Sequence, residues 1–265
     1  FRHFRTNNRF SATSVDQLPH HLASLWLFGH KLLFPIPDVD RSDYMLMLGA
    51  NPIASNGSIW TVPDVKKRLK ALKARGGKLV VLDPRNSETA QLASEHHFIK
   101  PGTDALFLLA VLNTIFTEGL DDTAHLGTFT EGLDVVRTAI ADFSAEFAAP
   151  HTLIDAQSIR RIAREFAAAG AAICYGRMGV STQAYGALNQ WLIQLINIAT
   201  GNLDRPGGSM FALPGTTGIH GVAGPLPERD PPPRRHHPAA HLTAGTRSLR
   251  PRLSQQRHAQ YSTLQ

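Results

Sequence analysis

Two short runs of uninterrupted apolar residues constrain the fold of this chain more than any other feature. They are YMLML at 44–48 and LVVL at 79–82. A strand that is apolar at every position is typical of a parallel sheet covered on both faces. Between the two runs, Val65, Leu69 and Leu72 recur at helical spacing. This order of strand, helix and strand predicts two parallel strands joined by a helical crossover.

The alternation of strands and helices continues along most of the chain. A short third strand is predicted at 98–99 and a fourth at 171–175, and further helices are predicted at 104–116, 133–143, 156–169 and 184–200. Asp155 is expected to cap the third of these helices at its N-terminus and Gly170 at its C-terminus. The predicted fold is therefore α/β: a doubly wound, mostly parallel sheet of the dinucleotide-binding type, with helices on both faces.

The chain changes character after Phe211. Residues 212–265 contain eight of the 17 prolines, five of the 13 histidines and seven arginines, without helical or strand periodicity. Such a segment has little to bury, so residues 1–211 are predicted to form the folded domain and residues 212–265 a disordered tail. The Pro/Arg/His bias also resembles a GC-rich gene read in another frame, which suggests the hypothesis of a frameshifted end.

The distribution of charge argues against a nucleic-acid partner. The whole chain carries a formal net charge of +6, but residues 212–265 supply +5 of it and residues 1–211 only +1. A nucleic-acid surface would instead cluster lysines and arginines on an ordered face. Cys174 is the single cysteine, which excludes a disulfide within the chain.

The hydropathy and the start of the chain bear on the compartment in which the protein is found. No run of about 18 apolar residues occurs, so no membrane span is expected. The sequence starts at Phe1 without an initiator methionine or an export signal. We expect it to be the middle of a longer protein whose export signal would then be lost; the compartment is left open, with the cytoplasm favoured.

Polar and glycine residues follow each predicted strand, at the edge of a parallel sheet where ligands bind. The candidate cofactor-binding residues are Gly49, Ala50, Asn51, Pro52, Asp83, Arg85, Gly102, Thr103, Asp104, Gly176, Gly179, Thr182 and Gln183. The first loop could also be a connector without a ligand, and Asp83 with Arg85 a salt-bridged turn. Asp104 is either a helix-capping acid or an acceptor for the N–H groups of guanine.

Taken together, these stretches resemble a known family. They are GANP at 49–52, VLDPR with a following TA at 81–90, IKPGTDALFLLA at 99–110, GRMGVSTQ with a following G at 176–186, and INIATGNLDRPGGSMF at 196–211. Their order and spacing are similar to those of the molybdopterin oxidoreductases, which include formate dehydrogenases, nitrate reductases and dimethyl sulfoxide reductase. The resemblance implies a molybdopterin guanine dinucleotide cofactor. Its diphosphate would lie along the 49–51 loop, its ribose near Asp83 and Arg85, its guanine at Asp104, and its pterin toward 179–183.

The resemblance also assigns a candidate metal ligand. In selenocysteine formate dehydrogenases, a Thr-Asn-Asn is followed, eight residues after its last Asn, by the ligand of molybdenum. Here the same count from Asn8 reaches Asp16, whose carboxylate is a suitable donor for high-valent molybdenum. The alternative is that Asp16 caps the following helix. Gln17 stands where the formate enzymes have a proton-accepting histidine, so His20 and His21 become the candidate proton relays, unless they only pack or face solvent.

By this resemblance the intact enzyme would carry out two-electron redox chemistry or oxygen-atom transfer on a small formate- or nitrate-like substrate. It would use a bis-pterin molybdenum cofactor and pass electrons to a partner or subunit through an iron–sulfur cluster in a missing N-terminal part. We expect the 265-residue chain alone to be inactive. The alternatives are a non-catalytic nucleotide-binding or assembly module, and an NAD-dependent dehydrogenase, which the missing G-x-G-x-x-G motif disfavours.

Overall fold

The computed structural model describes Asn8 and residues 10–212. Six strands are found among these residues: β1 (Pro35–Pro37), β2 (Tyr44–Leu48), β3 (Lys78–Leu82), β4 (Glu95–His97), β5 (Ala172–Gly176) and β6 (Ser209–Phe211). The predicted tail at 212–265 lies outside the described part of the chain, apart from Ala212.

Ten α-helices lie among the described residues, and their positions define the two faces of the sheet. They are α1 (Leu18–Phe28), α2 (Pro52–Ser55), α3 (Val65–Ala74), α4 (Glu88–Leu92), α5 (Asp104–Thr117), α6 (Leu133–Ala139), α7 (Ala145–Thr152), α8 (Ala156–Ala168), α9 (Met178–Ser181) and α10 (Gly186–Ala199). Short 3-10 helices lie at Ala12–Ser14, Ser58–Trp60 and Ala124–Leu126. Within the described residues, no helix has the length and apolar character needed to cross a membrane.

The central sheet is parallel and has the strand order β4-β3-β2-β5. Leu48, the last residue of β2, is in register with Leu82 of β3 and Gly176 of β5. The loops that follow these three strands therefore leave the same edge of the sheet. This is the edge at which a doubly wound fold binds its ligand.

Helices cover both faces of the sheet, as the uninterrupted apolar strands predicted. All five residues of β2 are buried. Tyr44, Leu46 and Leu48 pack on one face in a core that includes residues of α5, α8 and α10. Met45 and Met47 pack on the other face, in a core that includes α3. The α/β, doubly wound fold class is thus confirmed.

A second, two-stranded sheet lies outside the central one. β1 and β6 pair in antiparallel fashion, with Ile36 opposite Met210. Phe28 at the end of α1 meets Phe211 edge to face, with 4.9 Å between the ring centroids. These contacts join the beginning and the end of the described chain.

Some local predictions are wrong. The third strand is Glu95–His97, not 98–99, and Phe98 is exposed. Gly170 does not cap α8; Ala169 ends that helix in an extended conformation. Asp43 lies at this point: its Oδ2 accepts from the backbone N–H of Ala171 at 3.1 Å and would be 2.9 Å from a Cβ on Gly170. The chain enters β5 at Ala172.

Other boundaries moved by smaller amounts. The helix predicted at 133–143 ends at Ala139, and α7 was not predicted because its sequence contains Pro150 and shows no clear apolar face. Asp155 caps α8 as expected, accepting from the backbone N–H of Ser158 at 2.8 Å. Thr103 stands at the N-cap of α5, but its hydroxyl donates to the carbonyl of Lys100 instead of capping the helix.

Two glycines allow the loops at the carboxyl edge of the sheet to come into contact. Gly49, directly after β2, accepts a hydrogen bond through its carbonyl from the backbone N–H of Gly179 at 2.9 Å. A Cβ on Gly49 would lie 2.7 Å from the backbone nitrogen of Val180, and one on Gly179 would lie 2.7 Å from the Cα of Gly49. The loops after β2 and β5 can therefore touch only because neither residue carries a side chain.

A network of charged side chains lies at the opposite edge of the sheet. Lys78 donates to Glu95 at 2.8 Å and to Glu165 at 2.6 Å, and Arg161 pairs with both carboxylates. The hydroxyl of Tyr44 donates to Glu165 at 3.2 Å. The first residues of β2, β3 and β4 are thereby tied to α8.

We expect Gly49→Ala to destabilise the chain much more than Gly119→Ala. Both glycines have a positive φ, 53° and 63° respectively, but a Cβ on Gly119 would meet open space. The control should lose about 1 kcal/mol for the left-handed backbone alone, and Gly49→Ala roughly 2 kcal/mol more because backbone must move. Denaturant-induced unfolding measures both; equal losses would contradict the close approach.

We expect acid to destabilise the chain through Glu95. Burial would raise the pKa of this carboxyl, but hydrogen bonds from Arg161, Lys78 and His97 lower the pKa to about 2. The ionised form therefore stabilises the fold above pH 4.5, and this contribution is lost as the pH falls from 4.5 toward 2.

Glu95→Gln should accordingly lower the free energy of unfolding at pH 7 by roughly 1–3 kcal/mol, between the values of exposed and buried pairs. It should also flatten the pH dependence of unfolding below pH 4.5. Glu131→Gln, at an exposed position, is the control. A variant with the pH profile of the wild type would show that the network does not carry the acid sensitivity.

Candidate functional site

The predicted site residues Asp104, Gly179 and Gln183, which follow β4, β5 and α9, form a connected polar group. Gln183 donates through Nε2 to Asp104 Oδ2 at 2.7 Å and to the carbonyl of Gly179 at 2.6 Å. Gly179 in turn bonds Gly49 after β2. Asp83 lies near enough for its charge to act on Asp104. The structure thus brings together the loops that follow β2, β3, β4 and β5, which are far apart in the sequence.

Asp104 is the most unusual acid of this group because it is 3% exposed at the start of α5. Burial raises the pKa of its carboxyl; the hydrogen bond from Gln183 opposes that rise, and the neighbouring charge of Asp83 adds to it. A buried carboxylate with a single side-chain donor has lone pairs left for a further N–H group. Asp104 is therefore suited to recognise a ligand that presents donors.

Asn51 has a different position from the one expected of a free ligand-binding amide. Its Oδ1 accepts from the Thr89 hydroxyl at 2.7 Å, and its Nδ2 donates to Glu88 at 2.7 Å. These bonds join the loop after β2 to α4, which follows the Asp83–Arg85 turn. In that turn, Asp83 Oδ1 accepts from the backbone N–H of Arg85 at 2.8 Å. The first predicted loop is thus bonded to the helix that directly follows the second.

The remaining predicted cofactor residues surround this group and differ in exposure. Buried or nearly so are Ala50, Pro52 and Gly176; exposed are Arg85, Gly102, Gly179 and Thr182; Thr103 is partly exposed. Gly102 has a φ of 86° and open space around its Cα, just before Asp104. The open backbone at Gly102 leaves room for a ligand beside the buried carboxylate.

Asp16 does not cap α1. Gln17 occupies the N-cap position and makes no side-chain capping bond. The Asp16 carboxylate is instead paired with Arg177, with Nη1 to Oδ1 at 2.5 Å and Nη2 to Oδ2 at 3.1 Å. The alternative interpretation of Asp16 as a helix cap is therefore wrong, and the structure brings this residue to the end of β5.

Arg177 is the buried charged residue of this candidate site that the sequence did not single out. It is 5% exposed and also donates to the Ser58 hydroxyl from Nε at 3.0 Å and from Nη2 at 2.7 Å. The sequence places it between Gly176 and Met178 without any mark of burial. Its carboxylate partner lies 161 residues earlier, which no local pattern can indicate.

The two histidines have different environments. His20 is buried, and burial, followed by the charge of Arg177, lowers its pKa from 6.5 to about 4. Its Nδ1 lies 3.4 Å from the hydroxyl of Ser181. His21 is less buried, and its Nδ1 lies 2.8 Å from the carbonyl oxygen of Lys31. His20 thus lies beside Arg177, whereas His21 is engaged by the loop after α1.

A groove of about 370 Å³ separates the turn before α1 from the start of α10. Its lining includes Val15 and Leu18 on one side and Thr182 and Gln183 on the other. Asp16 is flanked by the first pair, while Gln183 reaches Asp104. The groove therefore lies between the turn that carries Asp16 and the segment whose Gln183 is bonded to Asp104, although neither acid lines it.

A protein-only metal centre is not found in the described part of the chain. No group of three or more His, Cys, Asp or Glu side chains there is arranged to hold a metal ion. The candidate site offers hydrogen-bonding groups: the buried carboxylate of Asp104, the amide of Gln183 and the open backbone at Gly102. A metal beside Asp16 would need its other ligands from outside the described residues.

Comparison with known proteins agrees with this geometry. The sequence profile of the molybdopterin oxidoreductase family matches residues 3–250. Formate dehydrogenase H of Escherichia coli is 30% identical over 198 residues, which cover 74% of this chain and 27% of that protein. The dimethyl sulfoxide/trimethylamine N-oxide reductase of Cereibacter sphaeroides is 27% identical over 200 residues, covering 72% of this chain and 24% of that protein.

The fold is also similar to a solved structure. Acetylene hydratase from Pelobacter acetylenicus superimposes with a TM-score of 0.62 at 22% sequence identity, covering 72% of this chain and 25% of that one. The chain thus spans about a quarter of the length of these relatives. The molybdenum–pterin chemistry indicated by the sequence is that of the matched family. On this evidence, the chain belongs to the molybdopterin oxidoreductase family.

Proposed function

We propose that this chain is the part of a longer molybdenum-dependent oxidoreductase that binds molybdopterin guanine dinucleotide. The observation that carries the proposal is the contact between Gln183, Asp104 and Gly179 at the ligand-binding edge of the sheet. Asp83 is close to this group, and Gly49 is bonded to it. One elongated ligand could touch all of these positions.

The guanine end is proposed to lie at Asp104. Guanine presents N1–H and N2–H₂, two adjacent donors that a carboxylate can accept together, whereas adenine lacks this pair. Because Asp104 is buried, leaving it without donors would be costly. In the free chain, Gln183 supplies one donor. The ligand would add to this hydrogen bond or replace it, with Gly102 and Thr103 flanking the base.

The rest of the dinucleotide is proposed to follow the edge of the sheet. The ribose would lie near Asp83 and Arg85, and the diphosphate along Gly49, Ala50, Asn51 and Pro52. Asn51 holds this loop through its bonds to Glu88 and Thr89, so the backbone of the loop is the surface offered to the phosphates. The pterin would extend toward Gly176, Gly179, Thr182 and Gln183.

Asp16, in the turn before α1, is proposed to ligate molybdenum. When bound, the cofactor supplies two-electron redox chemistry or oxygen-atom transfer. Asp16 provides an oxygen donor, and Arg177 is paired with that carboxylate. With its pKa lowered to about 4, His20 is neutral near pH 7, so its proposed relay role is to pass a proton through hydrogen bonds without storing charge.

The remaining features of the intact enzyme are proposed from its similarity to these relatives. A formate- or nitrate-like substrate suits a family with a formate dehydrogenase and an oxide reductase among its members. Because the chain spans about a quarter of these proteins, the second pterin half, an iron–sulfur cluster and the site for an electron-transfer partner are assigned to sequence beyond it. The alternative is a non-catalytic nucleotide-binding module, which predicts purified protein without molybdenum.

We expect the protein, purified from cells that synthesise the cofactor, to carry molybdenum and to release GMP on acid hydrolysis. Metal analysis by mass spectrometry and chromatography of the released nucleotide measure both quantities. The control is the same protein from cells unable to attach the guanine nucleotide. Bound NAD would contradict the proposal, and protein without metal or nucleotide would favour the non-catalytic module.

We expect Asp104→Asn to lower the amount of retained GMP by about tenfold or more, because a buried amide opposes one donor with another donor. Asp134→Asn is a matched control, since Asp134 is also an acid in the first turn of a helix but is exposed. Both variants change the charge at a helix start by the same amount. Equal retention by the two variants would place the guanine elsewhere.

A further inference from the structure

The ion pair between Arg177 and Asp16 differs from the other ion pairs of the described chain. Its cationic side chain is 6% exposed, whereas the lysine and arginine side chains of the other pairs are 31% exposed or more. A guanidinium taken out of water is tolerated only when its N–H groups are bonded. Here Asp16 and Ser58 together engage all three nitrogens. The pair is therefore built into the fold, not formed by chance at the surface.

The geometry leaves the carboxylate able to bind something else. Each carboxylate oxygen has two acceptor sites, and the guanidinium fork uses one site on each. The Asp16 side chain is 24% exposed and stands in the turn whose neighbour Val15 lines the groove. Asp16 can thus keep both bonds to Arg177 while one oxygen offers its second site to a ligand.

Ser58 fixes the other side of the guanidinium. It lies in a 3-10 helix after the loop that follows β2, and its backbone is left-handed with a φ of 54°. Such a conformation is unfavourable for a residue with a side chain. The two hydrogen bonds from Arg177 to the Ser58 hydroxyl offset part of that cost. Arg177 is consequently held from two directions and has little freedom to turn away from Asp16.

We propose that Arg177 is a positioning residue for Asp16. It remains bound to the carboxylate when Asp16 takes up the metal, and so determines which oxygen faces the metal. Ligating carboxylates are commonly oriented by a hydrogen-bonding partner of this kind, and removing that partner weakens the site. The inference rests on the proposed role of Asp16 as a molybdenum ligand and adds Arg177 and Ser58 to that site.

X-ray absorption at the molybdenum edge, on protein loaded with cofactor in cells, tests the inference without measuring activity. The samples are the wild type, Asp16→Ala, Arg177→Gln, Arg177→Lys and Ser58→Ala. The matched control is Arg164→Gln. Arg164 also donates to a carboxylate, that of Glu118, from two nitrogens at 2.7 and 2.8 Å, but its side chain is 56% exposed. Thermal melting by circular dichroism checks that each variant is folded.

We expect an oxygen shell in the wild type that is lost in Asp16→Ala. In Arg177→Gln this shell should fall about twofold or more in occupancy, and Arg177→Lys should restore part of it, because lysine keeps the charge but lacks the fork. Ser58→Ala should produce a smaller loss in the same direction, and Arg164→Gln none. If Arg177→Gln does not fold, Ser58→Ala, which removes no charge, decides the question.

Two results would overturn the inference, and they are distinguishable. An unchanged oxygen shell in Arg177→Gln and Ser58→Ala, with a shell that Asp16→Ala removes, would refute the positioning role alone and leave the proposed metal ligand intact. Wild-type protein without molybdenum, or a shell that Asp16→Ala does not alter, would refute the ligand assignment and the positioning role with it.

Discussion

The contact between Gly49 and Gly179 is the constraint on which the rest of the site depends. It brings the loops after two neighbouring parallel strands to within a backbone hydrogen bond, 2.9 Å from nitrogen to oxygen. From this contact α9 continues to Ser181, and Gln183 then reaches Asp104. A side chain at either glycine would part the loops, and the polar group at the edge of the sheet would separate with them.

Much of the fold could be predicted because its signals are local. The apolar runs at 44–48 and 79–82 and the helical spacing of Val65, Leu69 and Leu72 are visible in the sequence and agree with β2, β3 and α3. The failures arose where a distant side chain decides the local structure. After α8, for example, Ala169 is extended and Asp43 accepts from the backbone N–H of Ala171, although the sequence offers Gly170 as the natural cap.

The candidate site was predictable in part for the same reason. The segments containing Gly49, Asp83 and Gly179 could be located because the strands before them are apparent in the sequence. Their convergence follows from the parallel topology. What could not be foreseen is how the polar side chains are used. Asn51 is bonded within the protein, and Asp16 is paired with an arginine whose burial only the folded chain reveals. Motifs identify the chemistry available, whereas packing decides which groups remain free to use it.

The strand order of the central sheet has a consequence for synthesis on the ribosome. β2 pairs on one side with β3, which follows soon after it, but on the other side with β5, which begins about 75 residues after β4 ends. At translation rates of about 5–20 residues per second, the nascent chain would wait roughly 4–15 s for that partner. During this interval one border of β2 has its amide and carbonyl groups unpaired, a state prone to misassociation.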